Sequence, residues 1–266
     1  MSRTRVVFVH GLWIHSSSWS PWVDLFREAG YDPIAPGWPG DGATVAETRA
    51  NPERLAGKGI AEVTDHYAGI IAGLEQPPVV IGHSFGGLIA QKLLGQGLAR
   101  AAVAIDPGQI KGVKPLPFAQ LRSGFPVLGK PGNAKRAVSL TAKQFRYGFG
   151  NAIDAAESDA LYEQFTIPGP GRPLFEAAAA NFRSSSPAKV DVANATRGPL
   201  LFVSGGRDHT VPDVVTRAAY KLYAKSPAVT ELRQFPDRGH SLVLDHGWRE
   251  VADVVREWVE TKVPAS

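Results

Sequence analysis

The sequence predicts an α/β fold: a doubly wound, mainly parallel sheet of about six strands flanked by helices, with a helical cap inserted between two late strands. Three observations predict it. Its 266 residues can bury one large core. Short β-branched runs alternate with amphipathic helical patterns, as in sheets covered by helices on both faces. About 90 residues with no clear strand separate the fourth such run from the fifth, far longer than an ordinary connection. Residues 1–107 and 198–266 are therefore expected to form the core domain and 108–197 the cap.

The expected strands are 5–10, 32–35, 78–82, 101–105, 199–204 and 230–235. Between the first two, the segment 20–30 reads as a helix with both ends marked: Ser20 as N-cap, Pro21 in the first turn, and Gly30 as the stop. Trp22, Leu25, Phe26 and Ala29 form its apolar face. After the third strand, Gly86, Ala90, Leu93, Leu94 and Gly97 recur at helical spacing, small near the strand and larger beyond, so this helix can lie close to the sheet. Cap helices are expected at 117–124, 139–150, 153–165 and 173–183, with Pro/Gly-rich joints at 126–132 and 167–171. The last helix, about 247–261, carries Trp248, Val251, Ala252, Val255, Trp258 and Val259 on one stripe, a packing face.

Composition narrows the function. There is no cysteine, which excludes disulfides, thiolate metal sites and a cysteine nucleophile. The net charge of +4 is mild, and Lys and Arg read as spread among acids, a solvated surface rather than a nucleic-acid face. The chain enters a strand pattern by Val6 and has no apolar run of the about 20 residues a membrane span needs. A cytoplasmic protein acting on a small molecule is expected, with no nucleic-acid partner, no membrane span, no cofactor and no metal, since its histidines and carboxylates lack paired ligand spacing on a shared element.

The run Val79-Val80-Ile81-Gly82-His83-Ser84-Phe85-Gly86-Gly87 joins a buried strand to a Gly-x-Ser-x-Gly turn and then a helix. In so tight a turn, side chains two before and two after the serine would strike neighbouring backbone, and glycine has no Cβ to do so. Ser84 is the expected nucleophile. A serine hydroxyl needs a base, and the base needs an acid to hold its tautomer. Of seven histidines, His240 follows the last strand and precedes the last helix, so its loop opens at the same sheet edge as Ser84. Asp208, in Gly205-Gly206-Arg207-Asp208-His209-Thr210-Val211-Pro212, is the expected acid, with Asp106 at the end of the fourth strand as its rival. The N–H groups of Phe85 and of Leu12, after His10-Gly11, are the expected oxyanion donors.

On these residues the chain resembles the α/β-hydrolase superfamily, specifically its capped serine esterases and related cofactor-free hydrolases. The matching parts are His10-Gly11-Leu12, the Gly82–Gly87 elbow, Asp208 and Gly239-His240, in the order Ser, Asp, His. That family commonly has two further strands before the oxyanion strand; here a trimmed six-stranded, all-parallel sheet is expected. A serine in the elbow argues against the family's haloalkane dehalogenases and epoxide hydrolases, which attack with aspartate.

Aromatic residues of the cap and oxyanion loop suggest an apolar acyl or alcohol group: Trp13, Trp19, Phe118, Phe125, Phe145, Tyr147 and Phe149. Trp13, His15, Phe118, Phe145 and Tyr147 are the expected pocket residues, with His15 and Arg146 able to orient a polar group. The expected reaction is hydrolysis of a small-to-medium carboxylic ester through an acyl-enzyme. Acyl transfer, perhydrolysis or haloperoxidase-like activity, C–C hydrolysis, cyanohydrin cleavage and a non-catalytic ligand receptor stay open.

Overall fold

The computed structural model describes residues 3–265. Six parallel strands build its sheet: β1 (Arg5–Val9), β2 (Asp32–Ile34), β3 (Val79–His83), β4 (Ala101–Ile105), β7 (Leu200–Gly205) and β8 (Thr230–Phe235). They lie in the order β2-β1-β3-β4-β7-β8. The central strands are buried on both faces, which is why they read as continuous apolar runs: Val6–Val9, Val79–Ile81 and Ala101–Ile105 have essentially no exposure. At the edge, β8 turns Arg233 and Gln234 to solvent.

Chain order reverses across the sheet between β1 and β3. The connection from β1 runs outward to β2, and the next returns to pair β3 with the other side of β1. Crevices at the carboxyl ends of strands at such a reversal are the usual ligand site of open α/β sheets. Register brings the ends together: Val9 lies opposite Gly82, and His83 opposite Ile105.

The helices of the core are α1 (Ser20–Glu28), α2 (Val45–Ala50), α3 (Ile60–Ala72), α4 (Phe85–Gly95), α9 (Asp213–Leu222) and α10 (Trp248–Lys262). Phe8 on the sheet meets Trp19, Trp22 and Phe26, with ring centroids 5.0, 6.2 and 5.5 Å away. One expected cap differs. Ser20 is the first helical residue of α1 rather than its N-cap, because a 3₁₀ turn, Ser16–Trp19, leads into the helix and is itself capped by His15. The Ser20 hydroxyl instead donates to the Ser17 carbonyl.

The insertion between β4 and β7 is helical, with α5 (Phe118–Leu128), α6 (Ala142–Gly148), α7 (Ala155–Phe165) and α8 (Arg172–Ala178). It also holds an unexpected antiparallel pair, β5 (Ala137–Val138) and β6 (Gly169–Pro170). The expected joint at 126–132 is partly helix: α5 continues through Pro126 to Leu128, and the Asn133 amide caps it by donating to the Val127 carbonyl. The helix expected at 173–183 stops at Ala178 and continues only as a 3₁₀ turn, Ala180–Phe182.

This insertion is tied to the loop after β1. The His15 N–H donates to the Phe165 carbonyl, and the Ile167 N–H to that of Trp13, both at 2.9 Å. Arg49 of α2 then donates to the Glu163 and Thr166 carbonyls, neutralising the open C-terminal end of α7.

Two glycines separate close approach from mere helix tolerance. A Cβ on Gly86 would lie 2.0 Å from the Val9 carbonyl oxygen, whereas a Cβ on Gly69, inside α3, meets nothing within 4 Å. Gly86→Ala should therefore destabilise by more than about 3 kcal/mol, since rigid backbone must shift. Gly69→Ala should stabilise by roughly 0.5–1 kcal/mol. Urea unfolding of the two variants checks this, and equal effects would contradict the packing described.

Candidate active site

Among the described residues, three that are not glycine have positive φ: Trp13 (66°), Ser84 (56°) and Asp106 (39°). Each leaves the carboxyl end of a central strand, β1, β3 or β4. Such backbone costs on the order of 1–3 kcal/mol per residue and persists only where surroundings hold it. Ser84 is held firmly. Its N–H donates to the Ile105 carbonyl at 2.9 Å, and its carbonyl accepts from Gly87 and Gly108 at 2.8 Å each. Around it, a Cβ on Gly82 would meet the Gly86 carbonyl at 2.0 Å, and one on Gly11 would meet the Ser84 Cβ at 2.6 Å. The hydroxyl makes no hydrogen bond among the described residues.

His240 Nδ1 lies 2.5 Å from Asp208 Oδ2, with both side chains fully buried. Asp208 Oδ1 accepts from the Thr210 and Val211 N–H groups at 2.6 and 2.8 Å. The carboxylate is thus aimed by its own turn, and its other oxygen assigns the proton of His240 to Nδ1. Nε2 is left a bare acceptor, buried and unpaired among the described residues. The two loops are stitched together, Gly206 N–H to the Phe235 carbonyl and Arg207 N–H to the Arg238 carbonyl. The His240 ring packs against His83, the residue before Ser84, at 4.5 Å, and against the edge of Phe149 of the insertion at 4.7 Å.

Asp106 does not reach His240 Nδ1 in place of Asp208. Its Oδ1 accepts from the Gly205 N–H at 2.8 Å, and Oδ2 is buried without a partner. Burial, and then the negative charge of Asp208, push its pKa well above the usual carboxylate range. Burial, followed by the charge of His240, pushes His83 well below the usual histidine value, so its ring is neutral. His83, Asp106 and His240 bring ligand-type atoms within 4.8 Å of one another, the one such group among the described residues. A cation there would require an ionised Asp106 and would take His240 away from proton transfer.

Leu12 lies outside every helix and strand and Phe85 is the first residue of α4; among the described residues neither N–H has a backbone partner. Behind Leu12 sits a group that sequence reading missed. His10 Nε2 is 2.9 Å from Asp41 Oδ2, and its ring stacks on Trp38, whose indole N–H donates to the His10 carbonyl at 2.9 Å. The turn residues Gly37-Trp38-Pro39-Gly40-Asp41 were a visible loop signal, but nothing in their spacing points to His10.

A cavity of about 80 Å³ opens at Ser84. Trp13, Phe85, Leu116, Leu121, Leu128 and Leu174 line it with the serine. Its apolar walls suit an apolar group of a small organic ligand. Of the expected pocket residues only Trp13 is among its walls. His15 is buried elsewhere, Nδ1 accepting from the Ser17 N–H and Nε2 facing the Gly42 carbonyl. Phe118 points to solvent, as does Phe125. Phe145 is buried in the insertion, stacked 4.9 Å from Phe149. Tyr147 lies under Arg122 and beside His209, facing a separate depression. Trp19 is core, and Arg146 pairs with Asp159. Helical spacing identified these residues as amphipathic without telling which face meets which neighbour.

The fold and this constellation define a class, and the comparisons agree: the chain belongs to the alpha/beta hydrolase family, whose pattern matches residues 6–254. No curated protein sequence matches it. Among solved structures, a monoacylglycerol lipase from Paleococcus ferrophilus is similar at 22% identity and a TM-score of 0.66, over 97% of this chain and 94% of that one. A thermophilic esterase from Thermogutta terrifontis is similar at 18% identity and TM-score 0.67, over 98% and 90%. A methylesterase from Arabidopsis is similar at 15% and 0.62, over 96% and 98%. At these identities the likeness is one of fold.

The buried Asp106 carboxyl makes stability depend on pH. The folded chain keeps a proton there when an unfolded aspartate, with a pKa of about 3.9, has lost it. Stability linked to that proton is full below about pH 4 and drains away as pH rises toward the folded pKa. Between pH 4.5 and 8, the native chain should lose stability relative to Asp106→Asn, which carries no such proton. Urea midpoints across that range check it; parallel profiles would mean that Asp106 is ionised in the fold.

Proposed function

We propose that this chain is a serine hydrolase that cleaves a small-to-medium carboxylic ester with an apolar group through an acyl-enzyme. The observation that carries the proposal is the 2.5 Å contact of His240 Nδ1 with Asp208, which leaves Nε2 bare while the His240 ring packs on His83, the residue before the strained Ser84. Ser84 Oγ attacks the ester carbonyl carbon while its proton passes to Nε2, and the imidazolium that forms is stabilised by Asp208. The N–H groups of Leu12 and Phe85 hold the tetrahedral oxyanion. Collapse breaks the bond to the alcohol oxygen, which takes the proton from Nε2. Water then attacks the acyl-Ser84 ester, gives its proton to Nε2, and collapse releases the acid and returns that proton to Ser84.

Ser84 Oγ and His240 Nε2 are not yet hydrogen-bonded, as is common before substrate tightens such a site. The apolar walls of the cavity support an apolar acyl or alcohol group. Esterases and lipases among the structural neighbours agree with ester hydrolysis as the reaction class.

A fluorophosphonate probe should label the folded chain and fail on Ser84→Ala. Asp208→Asn should lower turnover of a chromogenic short-chain ester on the order of 10⁴-fold, by losing the tautomer that keeps Nε2 bare. Asp106→Asn should stay within about tenfold of the unaltered chain. Equal labelling of Ser84→Ala, or the larger loss on the Asp106 variant, would overturn the assignment.

A further inference from the structure

Between Asp106 and Asp154 the chain has 47 residues with eight Lys and Arg and no Asp or Glu. The whole chain has 29 basic and 25 acidic residues, so the remainder is net acidic by four. The charge is therefore not evenly spread: the first half of the insertion is a cationic block that the average conceals. No ion pair engages Lys114, Arg122, Lys130, Lys135, Arg136 or Lys143 among the described residues, and all six are exposed.

The same segment carries an exposed apolar face. Phe118, Leu121 and Phe125 fall at i, i+3 and i+7 of α5, one side of a helix, and are 76, 44 and 69% exposed. Leu116, just before the helix, is 57% exposed, and Phe182 is 90% exposed beside Asn181, which bonds back to Gly112 and Val113. These are the larger part of the exposed large apolar side chains among the described residues. Cations border them. Lys114 precedes the helix, Lys130 follows it, and Arg122 and Lys143 line one depression along its side. An apolar helix face left open to solvent marks an interaction surface, and phenylalanines and leucines flanked by lysines without ion pairs fit the boundary of an anionic lipid layer.

We propose that α5 and its flanks are a docking surface for an anionic lipid surface, with Phe118 and Phe125 entering the acyl region and Lys114 and Lys130 meeting headgroup phosphates. The absence of any acid over 47 residues carries the choice of an anionic partner. Position carries the choice of lipid over protein or nucleic acid, because Leu116 and Leu121 belong both to this face and to the walls of the cavity at Ser84. An apolar molecule could pass from the lipid layer to the cavity along apolar side chains. The docking itself does not depend on the chemistry proposed for Ser84.

The test is flotation of the full chain with vesicles of phosphatidylcholine alone or with about one third phosphatidylglycerol, in low salt and in 0.5 M NaCl. Binding should rise at least about tenfold with phosphatidylglycerol and fall in high salt, as phosphate contacts are screened. Phe118→Ser/Phe125→Ser and Lys114→Glu/Lys130→Glu should each lower it about tenfold with unchanged melting temperature. Absence of vesicle binding, or binding indifferent to phosphatidylglycerol and salt, overturns the proposal without need of the variants. So does a dimer in light scattering that the phenylalanine variant dissolves in a chain that binds no vesicles; the face would then join two copies.

Discussion

Helix α4 approaches the sheet so closely that the Gly86 α-carbon has no room for a methyl group before the Val9 carbonyl. Much of the molecule follows from that approach. The helix can sit there only if the turn before it is tight, and the tight turn forces Ser84 to a φ of 56°. The same approach sets the start of α4 against the Val9 and His10 carbonyls, where β1 ends and its loop begins. Gly11 must then be bare as well, because Ser84 occupies the space its side chain would need. Strain at Ser84 is offset by the bonds from its backbone to Ile105, Gly87 and Gly108.

The fold was legible in the sequence because buried parallel strands leave a strong mark. Val6–Val9, Val79–Ile81 and Ala101–Ile105 are apolar throughout, and their ends were placed within a residue or two. The turn at Ser84 and the meeting of Asp208 with His240 were legible for another reason: each stands in a loop at one sheet edge, where position along the chain fixes position in space. The cap was less so. Phe118, Phe145 and Tyr147 lie on amphipathic helices, and which side of such a helix turns to the cavity depends on partners distant in sequence. His15 was misread because a histidine that caps a 3₁₀ turn looks, in one dimension, like any polar residue near a site. Asp41 and Trp38, more than 25 residues beyond His10, leave no local sign of the contact that braces it.

Asp208 and Asp106 illustrate how a loop decides between like groups. Both are buried carboxyls at the ends of neighbouring strands. Asp208 lies three residues past Gly205, far enough for its turn to supply two N–H donors and for Oδ2 to meet His240. Asp106 directly follows β4 and finds one donor, the Gly205 N–H. Burial, and then the negative charge of Asp208, raise the pKa of Asp106 well above the usual carboxylate range.

Phe149 belongs to the insertion, yet its edge rests on the ring of His240 in the core. Together with the bonds from Trp13 and His15 to residues 165–167, this means the insertion forms part of the wall that sets the histidine's orientation. Cap and core are consequently not interchangeable modules. A chimaera that grafts another cap onto this sheet would inherit a histidine with one side of its packing missing, so altered selectivity from such a graft could not be credited to the new pocket alone. The boundary that matters for recombining this protein runs around Phe149, not through the loops on either side of the insertion.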